Sequence, residues 1–277
     1  MHSEAPSQEL VERVPENGAA GESSDAQSST RRGPHIIGQL LFAWSWFVAA
    51  LLLLIVAPPV LLVALITRRP DFVYPFAQWG ARTWLWLSGV DVKVTGQELL
   101  VPQQTYVFVS NHRSYLDAKP LFCDTGRRIG LVAKKELLKA PVLGYGMGFV
   151  NVLAIDRSNR ERAVQTMRQV TARLRSGISF AVCPEGTRAR PGQMLPFKKG
   201  AFHIAIEAGV PIVPVALKNS DILMGKGTGE CWPGTIEMVI FPPIETNHLE
   251  EADLDALVQQ VQSIIMNELG VKELAAR

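Results

Sequence analysis

Between Ile36 and Thr67 the chain is almost wholly apolar and carries no ionised side chain, and this run constrains the fold more than any other feature. It exceeds the ~20 residues that one helix needs to cross a bilayer. Arg31-Arg32 precede it and Arg68-Arg69 follow it. Pro58-Pro59 interrupts it, so either one helix is kinked there or two shorter helices form a re-entrant hairpin. The hairpin is the expectation, with both basic flanks on the cytoplasmic side. A cleaved signal peptide fits poorly, because the stretch is too long and a second arginine pair closes it.

Residues 1–33 are rich in Ser, Glu, Gln and Gly, lack an apolar period and read as a disordered tail. Residues 34–88 read as membrane-anchoring helices plus an interfacial segment. Trp79, Trp84 and Trp86 fall in its last helix-like stretch, 76–87, where tryptophan suits either the headgroup level or core packing. Residues 89–277 form a separate folded domain in this reading. The net charge of the 277-residue chain is only +2, which gives no basic field of the kind a nucleic-acid binder carries. Cys123, Cys183 and Cys231 are an odd set without a CxxC pair, so reduced thiols are expected rather than a disulfide framework.

Past Gly89, short β-branched runs alternate with helical patterns. The runs are 90–94, 105–109, 129–132, 152–155, 179–183, 212–217 and 236–241. Helices are expected over 159–174, 199–208 and 250–269, the first from apolar Ala163, Met167, Val170 and Leu174. The alternation predicts an α/β fold: a mixed, partly parallel sheet flanked by helices, with the membrane-embedded segment N-terminal to it.

Three polar clusters follow strands, and in α/β sheets ligands bind beyond the carboxyl ends of strands. The first is Asn111-His112-Arg113-Ser114-Tyr115-Leu116-Asp117. A histidine with an aspartate five positions on offers a base and a carboxylate to orient it. Ser114 and Asp117 also have helix-start spacing, so Asp117 could merely serve the helix and His112 be an ordinary surface residue. The second is Asp156-Arg157-Ser158, where Ser158 and Glu161 have capping-box spacing that would set Arg157 at a positive helix terminus. The third is Pro184-Glu185-Gly186-Thr187-Arg188, a stiff loop displaying a carboxylate and a guanidinium that could bind substrate or pair with each other. Lys134-Lys135 and Lys198-Lys199 could add to a basic pocket. No G-x-S-x-G, H-E-x-x-H or paired Cys/His ligands occur, which disfavours a serine lipase and a zinc enzyme.

With these residues in place the chain resembles the glycerolipid acyltransferases, especially those making phosphatidic acid from 1-acyl-glycerol-3-phosphate. Four ordered blocks carry the resemblance: His112 to Asp117; Leu153-Ala154-Ile155-Asp156-Arg157; Cys183-Pro184-Glu185-Gly186-Thr187-Arg188; and Val210-Pro211-Ile212-Val213-Pro214-Val215. Ala133-Lys134-Lys135-Glu136-Leu137 and Phe197-Lys198-Lys199-Gly200 also look familial, while Cys183 departs from the usual phenylalanine.

The resemblance implies transfer of a fatty acyl group from acyl-CoA or acyl-carrier protein to the sn-2 hydroxyl of lysophosphatidic acid, without a cofactor or metal. His112 would be general base and Asp117 its orienting partner. Arg157 and Arg188, with help from Lys135, would hold the acceptor phosphate, Glu185 would position the glycerol backbone, and Gly186 and Thr187 would complete the binding loop. An oxyanion donor is also required, and a backbone N–H near Gly186 is the expectation. Expected partners are the lipid bilayer, lysophosphatidic acid and the acyl carrier, with the catalytic domain on the cytoplasmic face. The rivals are another lysolipid acceptor, such as a lysophospholipid or lyso-ornithine lipid, and a non-catalytic membrane lipid-binding protein.

Overall fold

A computed structural model describes residues 33–271. The tail expected over 1–33 lies almost entirely outside the described residues, as does the Arg31-Arg32 flank. The apolar run does not fold back on itself as a hairpin. It is one continuous helical rod, α1 (His35–Leu51), a π-helical turn over Leu52–Val56, and α2 (Ala57–Thr67). Proline lacks the N–H that the preceding turn needs, and its ring crowds the carbonyl four residues back. Widening the turn just before Pro58-Pro59 absorbs both effects without ending the helix. The rod ends where Arg68 turns left-handed, φ 54°.

The chain then returns along the rod as α3 (Val73–Leu87). Polar groups pin the two together: Trp84 Nε1 donates to the Ser45 carbonyl and hydroxyl at 3.0 Å each, and Trp44 Nε1 donates to Leu87 O at 2.9 Å. Trp84 therefore packs inward, whereas Trp79 and Trp86 are exposed.

Among the described residues, seven strands form one sheet: β1 (Val90–Thr95), β2 (Val107–Ser110), β3 (Ile129–Lys134), β4 (Val152–Ile155), β5 (Ser179–Val182), β6 (Ile212–Lys218) and β7 (Gly234–Ile240). Their order is β1-β7-β6-β2-β5-β3-β4, and only β6 and β7 pair antiparallel. One face is covered by α1–α3 and α4 (Ala118–Cys123), the other by α6 (Arg160–Arg175), α7 (Gly200–Ala208) and α9 (Leu254–Leu269). The short helices α5 (Leu143–Met147) and α8 (Ser220–Met224) sit in connections. Leu61, Ala64, Val73, Tyr74 and Leu85 share a core with sheet residues, so the N-terminal helices are part of the fold.

Neighbours β4, β3, β5, β2 and β6 all run parallel, so their carboxyl ends lie on one edge. From β2 the chain crosses through α4 toward β3, and from β5 it crosses through α7 in the opposite direction to β6. Oppositely departing connections open a crevice above the ends of β2 and β5.

Candidate active site

The loop leaving β2 fills that crevice. Asn111, fully buried, accepts from Leu217 N and donates to Leu217 O, which ties the loop to β6. His112 Nδ1 lies 2.8 Å from Asp117 Oδ2, and the same oxygen accepts the N–H groups of Arg113 and Ser114 at 2.7 and 2.8 Å. Asp117 thus closes a tight turn around the histidine. Ser114 is not the cap of the next helix: α4 begins only at Ala118, and the Ser114 hydroxyl donates to Met224 O while accepting Leu116 N–H. The imidazole is 29% exposed and its Nε2 makes no hydrogen bond among the described residues, so that nitrogen is open to a substrate. A neutral imidazole with its proton on Nδ1, fixed by the carboxylate, presents a basic Nε2.

The loop after β5 holds this arrangement in place. Glu185 is buried, and its two oxygens accept His112 N–H at 2.7 Å and Leu195 N–H at 2.8 Å. It makes no ion pair with Arg188 among the described residues, so one alternative left open by the sequence is not realised. Burial pushes its carboxyl up to about 7, against those two backbone donors and the nearby His112. Ala189 N donates to His112 O at 2.8 Å, so the two loops are joined by backbone as well.

Gly186 takes φ 73°, a conformation that favours glycine. A Cβ there would stand 2.9 Å from Lys198 Nζ, which places that ammonium directly against the loop. The Gly186 N–H itself is donated to Cys183 O. Thr187 is exposed. Burial, followed by the carboxylates of Asp117 and Glu185, holds the Cys183 thiol well above its ordinary value, so it stays protonated.

Arg157 follows β4, three strands from β2 and about 14 Å along the edge at the usual strand spacing. Its charge is the smallest of the influences on the Cys183 thiol and lowers it, against burial and the two carboxylates. The capping reading is corrected here too: Asn159, not Ser158, caps α6 by accepting Arg162 N–H. Ser158 instead donates to Asp156 Oδ1, which also accepts Lys135 Nζ at 2.7 Å. The Lys135 hydrogen bond draws the Asp156 carboxyl far below the usual carboxylate range. Lys135 is therefore committed to the Asp156 turn that carries Arg157.

Sequence reasoning gave no role to Tyr115 or Asp221. Asp221 pairs with the buried Arg113 at 3.3 Å and accepts Gly192 N–H, bracing both loops. Tyr115 stacks on Arg188. An aromatic residue inside a polar loop was the available signal for it.

Ala118, next in sequence to Asp117, lines an apolar cavity of about 710 Å³. Trp46, Val60, Phe76, Trp84, Phe122 and Leu131 are among its lining residues, drawn from the N-terminal helices and the sheet face beneath them.

A family model described as Acyltransferase matches residues 91–218. A 1-acyl-sn-glycerol-3-phosphate acyltransferase from Limnanthes douglasii is 34% identical over 192 residues, covering 68% of this chain and 67% of that protein. The alpha form from Bos taurus is 36% identical over 178 residues, covering 64% and 62%. The crystal structure of PlsC from Thermotoga maritima, a 1-acyl-sn-glycerophosphate (LPA) acyltransferase, superposes with a TM-score of 0.72 at 27% identity, over 87% of this chain and 98% of that one. Together with the paired histidine and carboxylate at the sheet edge, these similarities establish that the chain belongs to the 1-acyl-sn-glycerol-3-phosphate acyltransferase family.

Proposed function

We propose that the chain moves a fatty acyl group from a thioester, acyl-CoA or acyl-carrier protein, to the sn-2 hydroxyl of lysophosphatidic acid at a membrane surface, giving phosphatidic acid. The observation that carries this reading is the His112–Asp117 contact with an open Nε2 at the sheet edge, where Arg188 lies over Tyr115 of the same turn. His112 takes the acceptor's hydroxyl proton as that oxygen attacks the thioester carbonyl. Asp117 stabilises the imidazolium that results. The thiolate leaves and recovers the proton. A thioester is already activated, so proximity and a base suffice, without a protein nucleophile or a cofactor.

Arg157 and Arg188 grip the acceptor phosphate, Lys135 steadies the Arg157 turn, and Gly186 and Thr187 shape the loop facing it. Glu185 serves the site by holding the His112 backbone. The apolar cavity lined by Ala118 takes an acyl chain. Purified full-length enzyme given a mixed lysolipid pool and either thioester should yield phosphatidic acid as the main product. A different acylated lipid would reassign the acceptor, and no turnover with any thioester would end the proposal.

Arg157→Ala is expected to raise the acceptor KM about tenfold or more with little change in donor KM, since a charge-assisted contact to phosphate is worth ~1.5–3 kcal/mol. Steady-state kinetics with each substrate varied in turn checks this, and an unchanged acceptor KM would remove Arg157 from the phosphate site.

Among the described residues one helix, His35–Thr67, is long and apolar enough to cross a membrane. Val48, Leu61 and Ala64 are buried within the protein, while Leu54, Ile55, Leu62 and Ile66 are exposed. We read the rod as held against the domain on one side and laid into lipid on the other, with Arg68-Arg69 and the catalytic domain at the cytoplasmic surface. Leu54→Ser with Leu62→Ser should weaken vesicle partitioning about tenfold or more, given ~1.5–3 kcal/mol per buried leucine. Flotation of the full chain with liposomes measures this, and undiminished binding would refute the placement.

A further inference from the structure

Tyr115 lies midway along the turn that Asp117 closes around His112, and it faces two residues distant in sequence. Arg188 Cζ sits 3.5 Å from the centre of its ring, the separation of a guanidinium stacked flat on an aromatic face. The Tyr115 ring also meets Trp46 of α1 edge to face, with centroids 5.1 Å apart and planes at 83°. The Ser114 hydrogen bond to Met224 O and the Ser114–Gly225 bridge hold the turn's backbone, so the ring has a fixed base. Lys226 Nζ donates to Arg188 O at 2.6 Å, fixing the arginine backbone from below.

The state of Arg188 gives this stack its meaning. Its Nη1 is buried and has no hydrogen-bond partner among the described residues. A buried donor left open is costly and is usually satisfied by a group the protein expects to meet. A guanidinium lying over an aromatic face keeps its N–H groups directed outward in its own plane, free for two oxygens of a planar or tetrahedral anion. Arginine otherwise loses much rotamer freedom on binding a ligand, and a stack that restricts it beforehand lowers that cost.

We propose that Tyr115, braced by Trp46, is a positioning residue that sets the Arg188 guanidinium for the acceptor phosphate. This rests on Arg188 being a phosphate ligand, as proposed above. The Tyr115 hydroxyl makes no hydrogen bond among the described residues, so the ring alone carries the role.

The test is a steady-state comparison on full-length enzyme in detergent: wild type, Tyr115→Leu, Tyr115→Phe, Arg188→Ala and the Tyr115→Leu/Arg188→Ala pair. Tyr115→Leu should raise the lysophosphatidate KM about tenfold while kcat and the thioester KM stay within about twofold. Tyr115→Phe should match wild type, and the double variant should be no worse in acceptor KM than Arg188→Ala alone. If Arg188→Ala leaves the acceptor KM unchanged, the phosphate reading of Arg188 fails and this inference with it. If Arg188→Ala raises that KM and Tyr115→Leu does not, only the positioning role is overturned. Should Tyr115→Leu yield no folded enzyme, Tyr115→Gln is the second variant. It should show the same acceptor defect, and a wild-type acceptor KM in that variant would overturn the proposal.

Discussion

His112→Ala should lower kcat for lysophosphatidate by a factor of about 10²–10⁴, the range a positioned general base contributes, and should leave the protein folded. The imidazole makes one side-chain hydrogen bond, to Asp117, and is 29% exposed, so its removal opens no large core cavity. Asp117→Ala should be as inactive for a compound reason. It frees the imidazole and also deprives the Arg113 and Ser114 N–H groups of their acceptor. Two buried donors left open cost ~1–3 kcal/mol each, so this variant should melt several degrees lower as well. Turnover at saturating thioester, read beside thermal melting, separates the two effects. A His112→Ala enzyme retaining a tenth or more of wild-type kcat would remove the proposed base.

The second large effect concerns Glu185, whose carboxyl stands at about 7 in the fold against an ordinary value of 4.5. The folded protein binds this proton more tightly than the unfolded chain does. The contribution to stability is therefore greatest below pH 4.5 and is lost as pH rises toward and through 7. At 1.36 kcal/mol per unit the loss amounts to about 3 kcal/mol between pH 4.5 and 8. Glu185→Gln cannot titrate and should lack this slope, although its amide offers a donor where the carboxylate accepted, and so it starts from lower stability. Urea unfolding of both proteins at half-unit pH intervals gives the difference curve, and parallel profiles would show that burial does not charge this penalty. Glu185→Ala should be worse still at every pH. The N–H groups of His112 and Leu195 lose their shared acceptor, which loosens the loop carrying the base.

Much of the scaffold was legible because its signals are local. Alternating β-branched runs marked all seven strands to within about two residues, and the 3.6-residue apolar period marked α6, α7 and α9. The proximity of His112 to Asp117 was readable from a separation of five positions, since one tight turn suffices to join them. Neighbouring capping assignments failed for an equally physical reason. Spacing cannot tell which backbone N–H a short polar side chain will meet until the helix start is fixed. Thus Asp117 serves Arg113 and Ser114, and Asn159 displaces Ser158 at α6. The proline pair suggested a break in the apolar run, but a π-helical turn absorbed it and the rod continued.

By itself, then, the order of residues determined the strands and the longer helices past Gly89, the extent of the apolar run and the family, because each depends on near-neighbour periodicity or on a short ordered motif, whereas the course of that run as one rod was settled only in the fold. The tertiary structure alone decided that Glu185 holds the His112 backbone across 73 residues, that Lys135 pairs with Asp156, and that Trp46, Tyr115 and Arg188 stack. Those contacts follow from the strand order, which brings the ends of β2 and β5 side by side, and no local propensity encodes which strands become neighbours.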